Sequence, residues 1–224
     1  MTTIVLACGD VTVPGPLAQL PAVTAPAVPA KPDFDTLLPQ FDDAGPGAPR
    51  LVVVGGDGAL AAALTRLMRS DRLHVELAYV SPTRSAATRL YGLPVGDRAA
   101  ELARRGRART VPLIRDDAGT ALVGEATVTG PEGAALVGEA YVDSTRLFSG
   151  TVSTLRITPT LEMPGLRAGV ARRWAFLPTR WSPGRAIQLG AVGAVVTRDG
   201  VTTPRALKRS SFYRDTREWL LVRG

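Results

Sequence analysis

One stretch constrains this chain more than any other: residues 50–70, RLVVVGGDGALAAALTRLMRS. A β-branched apolar run ends in Gly-Gly-Asp-Gly, and an alanine- and leucine-rich segment follows at once. Leu60, Leu64, Leu67 and Met68 recur at helical spacing, so the segment predicts a helix over 59–70 with one apolar face. The run before the turn is apolar throughout, as expected of a strand covered on both faces. A buried strand, a tight turn and a helix are the unit from which parallel α/β layers are built.

The turn has two readings. Glycines between a strand and a helix free backbone N–H groups and let a phosphate approach, and the helix N-terminus adds a favourable dipole. An aspartate in that position serves a Mg²⁺ or water network, or bonds to backbone amides. The spacing is neither G-x-x-x-x-G-K-[ST] nor G-x-G-x-x-G. A nucleotide site and a plain connection both satisfy the pattern.

The flanking segments extend the α/β reading. TTIVLAC predicts a first strand. Residues 11–32 are proline-rich, which argues against a helix and for an extended surface linker. DFDTLLPQFDD predicts a short helix capped by Asp33 and interrupted by Pro39. RLHVELAYV predicts the next strand, TRSAATRLYGL a helix stopped at Gly92, and GDRAAELARRGRA an amphipathic helix. After about residue 108 the pattern changes to β. Two copies of ALVGEA, at 121–126 and 135–140, predict a hairpin or meander around a Gly-Pro loop. The expected architecture is an α/β domain with parallel strands over 1–110, then an antiparallel, sandwich-like β domain over 111–224.

Here a resemblance appears. VVVGGDGALAAAL resembles the VxGGDGTxNEV signature of diacylglycerol kinase-type lipid kinases, a family that includes sphingosine kinases and shares its motif with NAD kinases. VSPTRSAATRLYGLP resembles the family's P-L-G-T-G-N-D-F-A-R-x-L-G-L-P, aligned without gaps on Gly92, Leu93 and Pro94, with Thr83 and Arg89 coinciding. VTRDGVTTPRALKRSSFYRDTREWLLVRG resembles the family's DGE segment and closing strand. The resemblance implies an α/β nucleotide-binding domain followed by a β domain, and transfer of a phosphoryl group from ATP to a lipid hydroxyl with Mg²⁺. It implies nucleotide contacts at Gly55, Gly56, Asp57, Gly58, Thr83, Arg84 and Ser85, a Mg²⁺ contact through water at Asp57, and catalytic roles for Asp57 and for Asp199 as base.

The departures are specific. The first strand lacks the NPxSG loop. Ala59 replaces a threonine, Pro82 and Arg84 replace two glycines, Ser85 replaces Asn, Ala86 replaces Asp, and Val201 replaces Glu. Proline removes an N–H donor and arginine adds bulk, although Arg84 can reach a phosphate through its side chain. Phosphoryl transfer depends on positioning and charge neutralisation, and the chain is also shorter than a typical bacterial lipid kinase. A catalytically degenerate binding or scaffold relative is the alternative, and an NAD kinase-like enzyme a lesser one.

Composition sets the outer bounds. The 224 residues carry a formal charge of +7, almost all of it arginine, which favours anionic partners: nucleotides or an acidic lipid surface. The basic stretches carry few aromatics and no nucleic-acid motif. A single cysteine, Cys8, and a single histidine, His74, exclude a zinc finger and a disulfide framework. No run reaches the about 18 apolar residues of a membrane span, and the first residues lack the basic flank of a signal peptide. The expected location is the cytoplasm, with peripheral membrane association. The C-terminal basic residues Arg205, Lys208, Arg209, Arg214, Arg217 and Arg223 read as a headgroup contact or as a solvated face. RRGRAR at 104–109 reads as a helix C-terminus, and Trp174, Phe176 and Trp181 as packing or a lipid-facing lip.

Overall fold

A computed structural model describes residues 2–42, 47–171 and 179–224. The chain divides into two compact units, residues 1–111 with 217–224, and residues 112–216. The first therefore takes back the end of the chain, which the boundary at 110 did not include.

The first unit is a parallel sheet with helices. Its strands are β1 (Thr3–Cys8), β2 (Ala22–Ala25), β3 (Arg50–Val54) and β4 (Glu76–Val80), in the order β2-β1-β3-β4, every pair parallel. Its helices are α1 (Lys31–Asp35), α2 (Asp57–Arg69), α3 (Ala86–Tyr91) and α4 (Asp97–Arg105). The strand register explains the apolar run: every residue of β3 is buried. Val52 and Val54 pack with Ala99, Ala100 and Ala103 of α4, while Leu51 and Val53 point by alternation to the opposite face. Leu60, Leu64, Leu67 and Met68 of α2 are all buried, as their spacing predicts.

Three local expectations need correction. The proline-rich segment is not only a linker: Pro21 and Pro26 bracket the edge strand β2, and the carbonyls of Pro21 and Ala25 accept hydrogen bonds from the Val5 and Gly9 N–H groups. Proline is compatible with a strand that has one free edge. A single 3₁₀ turn, Gly15–Leu17, also interrupts the segment. The strand expected from residue 72 begins only at Glu76, and His74 lies exposed in the turn before it. Asp33 sits inside α1, where its carboxylate accepts from the Ala30 N–H at 2.7 Å, so Ala30 is the flanking residue.

A buried arginine ties α4 to the sheet. Arg50 is 4% exposed and pairs with Glu76, its cross-strand neighbour, at 2.7 Å. The same guanidinium donates to the carbonyls of Ala103 (2.6 Å) and Gly106 (2.9 Å), closing the C-terminus of α4. The RRGRAR expectation holds only for Arg104 and Arg105, which lie exposed in the last turn; Arg107 opens a strand.

The second unit is antiparallel. It holds β5 (Arg107–Asp116, from Pro112 on), β6 (Ala121–Leu122), β7 (Ala126–Thr129), β8 (Leu136–Val142), β9 (Thr145–Val152), β10 (Leu155–Pro159), β11 (Leu166–Val170), β12 (Ser182–Gly184), β13 (Ala186–Arg198), β14 (Val201–Thr202) and the first part of β15 (Leu207–Arg223). The run β12-β11-β10-β7-β13-β15 forms its main ladder. The core includes Ile114, Leu122, Val128, Leu136, Leu155, Ile157, Leu166, Ile187, Val196 and Phe212. The ALVGEA copies do not form a hairpin with each other. β8, which carries residues 136–140 of the second copy, pairs with residues 187–191 of β13, whereas the first copy pairs with β5 through Ala121 and Leu122 and reaches β13 only at Ala126.

Candidate functional site

The GGDG turn is shorter than its sequence suggests. α2 starts at Asp57, with Gly56 as N-cap, so only Gly55 and Gly56 are turn residues and Gly58 lies buried in the first helical turn. Gly55 is required by a close approach: a Cβ there would meet the Cys8 Cβ at 3.0 Å and the Cys8 carbonyl oxygen at 3.2 Å. Gly56 is different. It is exposed, its backbone is extended (φ −86°, ψ 173°), and a Cβ would meet nothing within 4 Å. Packing in this unit does not demand glycine at 56.

The helix N-terminus has donors to offer. Ala59 and Leu60 N–H groups bond to the Gly56 carbonyl at 3.0 and 3.3 Å. Among the described residues the N–H groups of Gly56, Asp57 and Gly58 have no partner. They converge where the helix dipole favours an anion.

The Asp57 carboxylate is already held. Oδ1 accepts from the Tyr79 hydroxyl at 2.8 Å, and Oδ2 accepts from the Ala87 N–H at 3.1 Å. The second bond brings the start of α3, and with it the Thr83–Arg84–Ser85 loop, beside the GGDG turn. Burial, and then the Asp57 charge, push the Tyr79 phenol above its ordinary range, so it stays a proton donor. Tyr79 escaped the sequence reading. It occupies an ordinary inward position of a strand, and only its hydroxyl, next to the motif in space, marks it.

The loop splits into structural and available groups. Ser85 is the N-cap of α3: its Oγ accepts from Thr88 N–H at 3.1 Å, and Thr88 Oγ1 accepts from Ser85 N–H at 2.7 Å. Ser81 Oγ donates to the Thr83 carbonyl at 2.7 Å. Thr83 and Arg84 are exposed, and their hydroxyl and guanidinium have no partner among the described residues. Asp57 fits a single water-mediated Mg²⁺ contact, because Mg²⁺ is commonly held by one or two carboxylates with substrate phosphates. Among the described residues no group of three or more His, Cys, Asp or Glu forms a metal cage.

Asp199 belongs to the second unit and has a different setting. It is 8% exposed with φ 47°, and Gly200 follows at φ 83°. Arg198 pairs with Val201 across this two-residue turn, so Asp-Gly forms a type I′-like hairpin, for which that dipeptide is suited. Its carboxylate accepts from three backbone N–H groups: Val123 (3.0 Å), Gly124 (2.7 Å) and Glu125 (3.1 Å). Val201, where the family has Glu, is exposed. Next to Asp199, Arg198 lies 2.6 Å from the fully buried Asp116.

The remaining basic and aromatic features are dispersed. Arg205, Lys208 and Arg209 are exposed, whereas Arg214 donates to the Pro164 carbonyl and Arg217 to that of Met68. Trp181 is covered by the guanidinium groups of Arg167 (4.5 Å) and Arg156 (5.5 Å). Trp174 and Phe176 lie outside the described residues. No helix of the described residues is long and apolar enough to cross a membrane.

No protein-family model matches this sequence, and no curated protein matches it significantly. Solved structures do match. A diacylglycerol kinase from Bacillus anthracis str. Sterne superposes with a TM-score of 0.73 at 12% identity, covering 100% of this chain and 97% of that one. An NAD kinase from Archaeoglobus fulgidus in complex with ATP superposes with a TM-score of 0.59 at 12% identity, covering 100% of this chain and 94% of that one. The fold of this chain, parallel α/β followed by antiparallel β, is the fold of these kinases.

Proposed function

We propose that this protein binds a nucleoside triphosphate, ATP first, through its GGDG turn, and that it is a degenerate, binding-type relative of the diacylglycerol kinase-like enzymes. The observation that carries the reading is Gly56: exposed, unstrained, free of neighbours, and next to three unpartnered N–H groups at the start of a 13-residue helix. Arg84 and Thr83 supply side-chain donors from the adjacent loop, replacing backbone donors lost to Pro82. The ATP complex of the NAD kinase supports ATP as the nucleotide to try.

Support for degeneracy comes from Asp199. A general base must be free to face the hydroxyl of its substrate, and this carboxylate is already the acceptor of three backbone N–H hydrogen bonds while shaping a hairpin. Without Glu at 201 or Asp at 86, no second carboxylate from these motifs assists it. The lipid kinase reading remains the competitor, with Asp199 as base, Asp57 on Mg²⁺ and a lipid at an anionic membrane surface as acceptor.

Calorimetry with ATP and ADP tests the binding, and transfer of labelled phosphate to diacylglycerols and sphingoid bases tests the chemistry. Binding without transfer is expected. Transfer abolished by Asp199→Ala in a folded protein would restore the catalytic reading.

A further inference from the structure

We propose that Tyr79 is a positioning residue for the nucleotide site, its hydroxyl locking the Asp57 carboxylate onto the start of α3 so that the GGDG turn and the Thr83–Ser85 loop act as one unit. The inference rests on the nucleotide reading above for its functional meaning, but its geometry stands alone. Asp57 lies at the first position of α2, Tyr79 is the penultimate residue of β4, and Ala87 is in the first turn of α3. Three segments distant in sequence meet at one carboxylate, with each oxygen accepting one hydrogen bond.

The chemistry explains why this matters. A carboxylate at a phosphate-binding turn repels the phosphate unless a cation or fixed donors offset its charge. Tyr79 and Ala87 are such fixed donors, one on each carboxylate oxygen. Tyr79 is 3% exposed, and its phenol, protonated at neutral pH even when free in water, is pushed further up by burial, so it remains a donor.

The test is a double-mutant cycle on the full chain, with Tyr79→Phe, Asp57→Asn and the double variant. ATP affinity is measured by calorimetry, with and without Mg²⁺. Tyr79→Phe should weaken ATP about fivefold without Mg²⁺, less with it, and have no effect in the Asp57→Asn background. A packing role would weaken both backgrounds alike, so an equal loss in both, or no loss in either, overturns the proposal. Amide exchange at Ala87 is the second readout and needs no nucleotide. Protection should fall in Tyr79→Phe as far as in Asp57→Asn. Unchanged protection in Tyr79→Phe overturns the positioning role. If the unaltered protein binds no ATP, the nucleotide reading falls, and the Ala87 exchange alone decides whether Tyr79 positions Asp57.

Discussion

Two Asp-Gly pairs stand in this chain where a lipid kinase signature has them, and the structure treats them differently. Asp57 begins a helix, is half-buried, and shares its oxygens between one phenol and one amide. Asp199 fills a hairpin turn, is 8% exposed, and is consumed by three consecutive amides. The first has the unpartnered N–H groups of residues 56–58 beside it, whereas the second closes a hairpin, with the Asp199 N–H itself bonded to the Glu125 carbonyl. The same dipeptide thus stands beside unpartnered amides in one unit and acts as a structural clasp in the other. A motif residue keeps its functional meaning only while its hydrogen-bonding capacity is free.

The comparison is broken most easily by stability. Asp199→Ala strands three backbone donors, two of them at the buried residues Val123 and Gly124, and should cost about 3 kcal/mol in urea unfolding. Asp57→Ala, with two donors and readier access to water, should cost about 1–2 kcal/mol. The reverse order would mean that Asp57 is the clasp and Asp199 the available group. Asp199→Asn keeps one acceptor oxygen and the tolerance of positive φ, and should recover most of the loss, leaving about 1 kcal/mol.

Cys8 offers a local reporter, because it packs directly against Gly55. Burial, and then the Asp33 charge, push its thiol from 9.0 up to about 12. Alkylation at pH 8 therefore requires the turn to open. The rate should rise about fivefold in Asp57→Asn and stay within about twofold in Asp199→Asn. The same shift predicts a pH effect. The folded state holds the thiol proton more tightly than the unfolded chain, so stability is flat below pH 9 and declines as pH rises to about 12. Cys8→Ala should flatten that decline, measured by thermal melting across the window.

Much of the first unit was legible in the sequence because its signals are local. The run RLVVV, the glycines and the leucine spacing of α2 each act within a few residues, and the Gly92 stop adopts the left-handed conformation expected of it (φ 65°). What was illegible depends on distant partners. Tyr79 and Ala87 reach Asp57 across 22 and 30 residues, and the Asp199 clasp spans 74 to 76. The ALVGEA copies make the point most directly. The second copy runs into an unbroken strand, while the first breaks at Val123–Glu125, where Asp199 takes the amides and Glu125 pairs with Arg156. Identical hexapeptides differ here because one of them meets a carboxylate from elsewhere in the chain.

The central claim is that the GGDG turn binds a nucleotide while Asp199 does not take part. ATP titration of the unaltered protein, Asp57→Asn and Asp199→Asn by calorimetry tests it directly. With Mg²⁺ present, binding by the unaltered protein is expected, with a loss of about tenfold or more in Asp57→Asn and a change within about twofold in Asp199→Asn. Binding that survives Asp57→Asn intact but is lost in a folded Asp199→Asn would contradict it.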